Sequence, residues 1–216
     1  MKKVYFISGL GADERIFKYL DLSFCEPVFI KWIKPLAGET LRDYALRLRK
    51  DIPESSPTIV GLSLGGMLTS IMASEENNIR GVIISSNKTS KEFPPYLRVG
   101  KYVPIYKYFA IKPSLILRKV TLAVFGSSNK EQAELLMTLI NDADPEFIHW
   151  AVNAILTWKS ENETPKNIFH IHGTADILLP YRFVKTDYAV EGGTHVMVVT
   201  KAAEVSEILR KAVGVR

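Results

Sequence analysis

The sequence contains a single cysteine, Cys25, among its 216 residues, and it lacks internal repeats and low-complexity segments. One cysteine cannot form a disulfide within the chain or supply a cysteine metal cluster. We therefore expect Cys25 to be a small buried hydrophobic residue in a reducing compartment. With 47% hydrophobic and 24% charged residues, the composition is that of a globular protein rather than a disordered or fibrous one.

Long hydrophobic runs are also missing. No stretch approaches the roughly 18 consecutive apolar residues that a membrane-spanning helix needs, because Lys112, Arg118 and Lys119 interrupt the most apolar segment. Two lysines and the apolar run 4–7 open the chain, but that run ends at Ser8, too early for a signal peptide. We interpret it as a first β-strand and expect a cytoplasmic protein.

Acidic residues are nearly absent from one part of the chain. Between Lys88 and Lys130 there are nine lysines or arginines and one acid, Glu92, whereas the whole chain carries a net charge of +5. Such a segment attracts anionic ligands, nucleic acid or acidic membrane surfaces in some proteins. We favour a solvated face and expect no nucleic-acid partner, with contact of the basic segment with a membrane surface as the alternative.

Short β-branched and aromatic runs alternate with amphipathic stretches of helical length, which is typical of an α/β fold. We predict a six-stranded, mostly parallel, doubly wound sheet. The predicted strands are Val4 to Ile7, Val28 to Trp32, Thr58 to Leu62, Val82 to Ser85, Ile168 to Ile171 and Thr186 to Val190. Predicted helices follow Ser63, run from Lys201 to Ala212, and start at a capping box at Thr40 that leads toward Asp51.

The alternation of strands and helices stops between about residues 87 and 166. Helices are predicted there from near Ser128 and from Pro145, with Asp144 as the N-cap. We therefore predict a core of residues 1–87 and 165–216 and a helical cap of residues 88–164. An insertion after the fourth strand would lie over the carboxyl ends of the strands, where open α/β sheets bind ligands.

Residues 61–66, Gly-Leu-Ser-Leu-Gly-Gly, join the third predicted strand to a helix and match the G-x-S-x-G nucleophile elbow. A serine on such a sharp turn brings residues 61 and 65 so close to the chain that a Cβ would clash. The turn also sets the Ser63 hydroxyl at a helix N-terminus, which favours a developing anion. The alternative is an ordinary glycine-rich turn.

A serine nucleophile needs a base, and we assign this role to His195. His195 lies in a loop between the last strand and the final helix, where it can reach across to Ser63. His170 and His172 are expected to be structural residues of the fifth strand. His149 is expected on a helix face, with substrate contact as the alternative.

Asp176 follows the fifth strand and is predicted to orient His195, the alternative being a turn-capping aspartate. The end of the fourth strand offers no acid before Glu92, which weakens that position. The backbone N–H groups of Leu64, directly after the nucleophile, and of Leu10, in a Gly-x-Gly loop, are predicted to form an oxyanion hole. A plain strand-to-helix turn is the alternative for the loop at Leu10.

Together the elbow, the His-Gly-Thr-Ala-Asp turn at 172–176 and the Gly-Gly-Thr-His loop at 192–195 resemble the α/β-hydrolase superfamily. The chain order Ser63, Asp176, His195 is also that of its triad. The resemblance covers residues 1–87 and 165–216. One departure is Ser8, where members of the family often have histidine.

The resemblance implies a serine hydrolase of esters or thioesters that needs no metal or organic cofactor. Haloalkane dehalogenases and epoxide hydrolases of the superfamily use aspartate at the elbow, whereas this chain has Ser63. A ligand-binding or receptor-like protein with little turnover is the alternative. We expect a small-molecule substrate, an apolar acyl chain with an anionic end, bound by the aromatic and basic insertion. Its candidate contacts are Tyr102, Tyr106, Phe109, His149 and Trp150.

Overall fold

The computed structural model describes residues 1–100, 130–160 and 164–214, with the side chains of residues 99 and 100 left out. It contains one six-stranded sheet in which every neighbouring pair of strands is parallel, in the order β2-β1-β3-β4-β5-β6. The strands are β1 (Lys3–Ile7), β2 (Glu26–Ile30), β3 (Thr58–Leu62), β4 (Arg80–Ile84), β5 (Ile168–Gly173) and β6 (Tyr188–Val190). The predicted parallel α/β sheet is therefore confirmed.

The helices of the described residues are α1 (Leu41–Arg49), α2 (Leu64–Glu75), α3 (Pro95–Gly100), α4 (Lys130–Asp142), α5 (Pro145–Thr157), α6 (Met197–Thr200) and α7 (Ala202–Ala212). Short 3-10 helices cover Glu14–Phe17, Ser90–Glu92 and Tyr181–Phe183. Across these residues, no helix has both the length and the apolar character to cross a membrane.

Two of the predicted helix starts are confirmed in detail. The Thr40 hydroxyl accepts a hydrogen bond from Asp43 N at 3.1 Å and caps α1. Asp144 accepts one from Glu146 N at 2.8 Å, with Pro145 as the first residue of α5. Both caps satisfy first-turn N–H groups that have no acceptor within their helix.

Strand ends differ from the prediction by one or two residues where the tertiary structure intervenes. β2 begins at Glu26 because it pairs with β1 in a register that places Pro27 opposite Val4, which is tolerated because β2 is an edge strand. β4 stops before Ser85, whose φ of 48° breaks the extended conformation.

Alternating side chains of the strands fill two hydrophobic cores, one on each face of the sheet. Val4 and Phe6 of β1 point to the face covered by α7, whereas Tyr5 and Ile7 point to the face covered by α1 and α2. Helix α4 contributes Leu136 and Leu139 to the first core, and α5 contributes Phe147, Ala151 and Ala154 to the second. This packing places α4 against the 3-10 helix Glu14–Phe17 and α5 against α1 and α3.

Candidate active site

The backbone at Ser63 makes an abrupt turn between β3 and α2. Ser63 has φ 52° and ψ −114°, a strained combination for a residue with a side chain. Its conformation is held from both sides, because Ser63 N donates to Ile84 O at 2.9 Å and Ser63 O accepts from the Ser86 hydroxyl at 2.6 Å. The surrounding fold therefore imposes the turn that exposes the Ser63 hydroxyl.

Two glycines make this turn sterically feasible, as predicted. A Cβ on Gly61 would lie 2.3 Å from Gly65 O, and a Cβ on Gly65 would lie 2.2 Å from Ile7 O. Both distances are far below van der Waals contact, so only glycine fits at either position. The sequence motif is thus explained by the close approach of α2 to the ends of β1 and β3.

Three polar side chains from distant parts of the chain meet at the carboxyl edge of the sheet. His195 Nε2 lies 2.9 Å from Ser63 Oγ, and His195 Nδ1 lies 2.8 Å from Asp176 Oδ2. Asp176 follows β5, and His195 lies in the loop between β6 and α6. Both residues are buried, with 3% and 4% exposure respectively. The arrangement forms a continuous chain of hydrogen bonds from hydroxyl to carboxylate.

Asp176 makes the contacts expected for both interpretations that the sequence left open, one with a turn and one with His195. Its Oδ1 accepts hydrogen bonds from Leu178 N at 2.9 Å and Leu179 N at 2.8 Å, which caps the turn, while its Oδ2 faces His195. Burial alone raises the pKa of Asp176, but the charge of protonated His195 and hydrogen bonds, including those from His172, His195 and Leu179 N–H, lower the pKa below the usual range. The carboxyl is therefore ionised at neutral pH. It can hold His195 in the tautomer whose Nε2 accepts a proton.

The weaker candidate acid, Glu92, is engaged elsewhere. Glu92 Oε2 accepts a hydrogen bond from Lys88 N at 2.6 Å. Burial raises the pKa of Glu92 against the lowering effect of Lys88. Its interactions keep it with the segment after β4, whereas Asp176 contacts His195.

The two residues predicted to form the oxyanion hole belong to the first turn of α2 and to the loop after β1. Leu64 is the first residue of α2, so its N–H belongs to the first-turn groups that have no intrahelical acceptor. Leu10 belongs to the loop after β1, in which a Cβ on Gly9 would lie 3.3 Å from Ser63 Cβ. The loop is held close to the elbow because Gly65 N donates to Ser8 O at 3.1 Å.

Ser8, the departure from the family pattern, has a local role in this loop. Its hydroxyl donates to Ala12 O at 2.8 Å, and Trp32 Nε1 donates to the same oxygen at 2.8 Å. These two bonds fix the end of the loop. The loop geometry is thus maintained by residues other than histidine.

Of the five predicted substrate contacts, the two that the structure describes, His149 and Trp150, do not meet at Ser63. His149 is exposed on α5, and Trp150 packs against Tyr44 with ring centroids 4.4 Å apart while its Nε1 donates to Glu39 O. Both side chains lie outside the described lining of the pocket at Ser63. Tyr102, Tyr106 and Phe109 lie outside the described residues.

A pocket of about 280 Å³ opens beside Ser63 and His195. Its described lining includes aliphatic side chains from α3, α4 and α5 and from the loop after β5, namely Leu97, Leu136, Leu139, Ile140, Val152, Ile155, Leu156, Leu178 and Leu179. Sequence reasoning missed these residues because it concentrated on the aromatic side chains of the insertion. The available signal was the apolar stripe along each amphipathic insertion helix.

The sequence matches no protein-family model and no curated protein sequence. Its structure is nevertheless similar to solved structures over almost its full length. A hydrolase from Pseudomonas aeruginosa PA01 matches with a TM-score of 0.78, at 13% identity, over 99% of this chain and 90% of the other. An esterase from Exiguobacterium antarcticum matches with a TM-score of 0.75, at 14% identity, over 99% and 92%.

An epoxide hydrolase from Bacillus megaterium also matches, with a TM-score of 0.70 at 12% identity over 99% of this chain and 93% of the other. These similarities show that the protein has the α/β-hydrolase fold. Within that fold, this chain carries Ser63 at the turn between β3 and α2, hydrogen-bonded to His195. Because one fold supports several reactions, the reaction must be inferred from the site.

Proposed function

We propose that the protein is a serine hydrolase that cleaves carboxylic esters or thioesters through an acyl-enzyme. The observation that carries this proposal is the continuous hydrogen-bond chain from Ser63 Oγ through His195 to the ionised Asp176. A serine hydroxyl becomes an effective nucleophile when a positioned base accepts its proton, and the histidine is effective when a carboxylate fixes its tautomer.

The reaction would proceed in two halves. Ser63 Oγ attacks the acyl carbon while its proton moves to His195 Nε2, and the protonated imidazole then gives this proton to the departing alcohol or thiol. In the second half, water attacks the acyl carbon of the acyl-enzyme while His195 Nε2 accepts its proton, and the carboxylic acid leaves as this proton returns to Ser63 Oγ. The Leu10 and Leu64 N–H groups are assigned to the oxyanion that forms in each half.

The pocket points to an aliphatic acyl group. Its described lining includes aliphatic side chains from both core and insertion, and no lysine, arginine, aspartate or glutamate occurs in that described lining. A cavity volume of about 280 Å³ leaves room for an alkyl chain beside Ser63. The expected anionic end of the substrate has no partner in this part of the pocket.

The division into a core of residues 1–87 and 165–216 and a cap of residues 88–164 is part of the proposal. It is supported by α4 and α5, which line the pocket opposite Ser63. We also propose a small-molecule substrate and a cytoplasmic location. The location is supported by the single cysteine, Cys25, because a buried free thiol is consistent with a reducing compartment.

Labelling with a fluorophosphonate tests the proposed function. The reagent reacts with an activated serine, so we expect one adduct per chain, mapped to Ser63 by mass spectrometry of the digested protein. Heat-unfolded protein provides the control, because unfolding separates Ser63 from His195. A native chain that neither reacts nor hydrolyses activated esters would instead be a binding protein with this fold.

A series of p-nitrophenyl esters from acetate to dodecanoate tests the pocket. We expect kcat/KM to be highest for a medium-length chain. Val152→Phe should lower kcat/KM for the octanoate by about tenfold or more while changing the acetate little, because the added ring occupies pocket volume. Thr157→Phe, at an exposed position of the same helix, is the matched control. Equal effects of both variants on all esters would argue against this pocket as the acyl site.

A further inference from the structure

Two buried histidines extend the hydrogen-bond chain beyond Asp176. His170 and His172 lie on the same face of β5, and both are fully buried. His172 Nε2 lies 2.7 Å from Leu179 O and 3.4 Å from Asp176 Oδ2, and His172 Nδ1 lies 3.0 Å from His170 Nε2. Asp176 Oδ2 therefore faces two imidazoles, those of His195 and His172.

The neighbours of His172 determine which of its nitrogens carries a proton. Leu179 O is an acceptor only, and Asp176 is ionised, so its Oδ2 is also an acceptor only. His172 Nε2 must therefore be protonated and donates to Leu179 O, while Asp176 Oδ2 lies 3.4 Å from the same nitrogen, close enough for this N–H to stabilise the carboxylate. This donor and the Leu178 and Leu179 N–H groups hold both the carboxylate and the turn that carries it.

Beyond His172, His170 provides a neutral end to the chain. Burial lowers the pKa of His170 well below its ordinary value, and the nearby His172 and Lys88 lower it further. Because the His172 proton is on Nε2, His172 Nδ1 is the acceptor, and an uncharged His170 donates its Nε2–H to it at 3.0 Å. The pair thus fills a buried space beside the carboxylate without requiring a charge on His170.

We propose that His172 is a positioning residue that acts on the reaction through Asp176. Its Nε2–H keeps Oδ2 directed at His195 and competes with His195 for the charge of the carboxylate. Removing this donor would leave Asp176 more basic and bound more strongly to His195. The His195 imidazole would then hold its proton to higher pH, and the acid limb of the pH profile would move upward.

Other titratable groups face this chain of residues from neighbouring elements. Tyr96 of α3 donates to Leu178 O, the Tyr181 ring lies 6.5 Å from that of His172, and Lys88 pairs with Asp187 at 3.4 Å near His170. Tyrosine, lysine and aspartate do not ordinarily change charge between pH 5 and 8. Burial raises the pKa of Glu92, which accepts a hydrogen bond from Lys88 N, so Glu92 is a second group that can contribute to the pH dependence of the rate. The protonation of His195 is therefore followed directly.

Two amide variants separate the donor from simple packing. The amide of His172→Gln reaches the position of Nε2 and can still donate to Asp176, whereas that of His172→Asn reaches only the position of Nδ1 and faces His170. We expect His172→Gln to keep the wild-type acid limb of kcat/KM. We expect His172→Asn to move it upward by about half a unit to one unit, the effect of losing one hydrogen bond to a carboxylate. KM should change little, because His172 does not belong to the described lining of the pocket.

The same titration can be followed at His195 by NMR in proteins labelled with ¹⁵N-histidine. This readout needs no turnover, so the proposal, which rests on the proposed function, can fail or succeed separately from ester hydrolysis. Identical midpoints in the wild type and both variants, or equal shifts in both variants, would show that His172 only fills space. If His172→Asn does not fold, the ¹⁵N shifts of wild-type His172 decide the matter, because a bare Nε2 contradicts the proposal.

Discussion

Replacing Ser63 by alanine is expected to lower kcat/KM for ester hydrolysis by about 10⁴- to 10⁶-fold. Alanine offers no oxygen to the acyl carbon, and His195 then has no hydroxyl proton to accept. The fold should persist, because the elbow is held through the backbone atoms of Ser63, by Ile84 O and the Ser86 hydroxyl. Steady-state assays and thermal unfolding of the same preparations measure both expectations.

Ser74→Ala is the matched control for this substitution. Ser74 lies in the last turn of the same helix, α2, and its hydroxyl donates to Ile71 O at 2.8 Å, away from the site. Its activity should remain within a few-fold of the wild type. A Ser63→Ala protein that retains more than a tenth of the wild-type rate would show that a different group attacks the substrate.

Asp176→Asn is expected to lower kcat by about 10⁴-fold, the cost of holding the catalytic histidine in the wrong tautomer. The structure dictates how the new amide would lie. Leu178 N–H and Leu179 N–H both donate to Oδ1, so the amide oxygen must occupy that position and the NH₂ group must face His195. The NH₂ group donates to His195 Nδ1, which leaves the proton on Nε2. An Nε2–H imidazole cannot accept the Ser63 proton.

Asp187→Asn controls for the loss of a carboxylate beside the same strand, β5. Asp187 Oδ2 accepts from His170 N at 2.8 Å and pairs with Lys88, so it contacts neither Ser63 nor His195 in the described structure. We expect a rate close to that of the wild type. If Asp176→Asn were as active as Asp187→Asn, Asp176 would have only its turn-capping role.

Local patterns were sufficient to predict the elements and much of the candidate site. The glycines at 61 and 65 indicated a turn in which no Cβ fits, and the chain approaches within 2.3 Å of those positions in the structure. The helix caps at Thr40 and Asp144 could also be predicted from the sequence, because an N-cap depends on residues only two or three positions away. The proximity of Ser63, Asp176 and His195 was inferred because parallel strands place their carboxyl ends at one edge.

Other features depend on residues that the sequence keeps far apart. The described lining of the pocket combines helices α3, α4 and α5 with β3, α2, the first 3-10 helix and the loops after β1, β5 and β6. The sequence pattern marks the apolar stripe of an amphipathic helix but does not indicate which of its residues will face a cavity. This is why Trp150, chosen as a substrate contact for its aromatic ring, instead packs on Tyr44. Likewise, β6 begins at Tyr188 although the pattern starts at Thr186, because the Asp187 carboxylate accepts the His170 N–H in place of a strand carbonyl.

The sequence by itself thus determined the parallel α/β architecture and the identity of the serine at the elbow, since both follow from periodicity and from steric limits within a few residues. Only the tertiary structure decided that Asp176 faces two histidines, that the pocket is aliphatic, and that His149 and Trp150 lie away from it. These features depend on distances between separate elements, and such distances are set by how the two cores pack around the sheet.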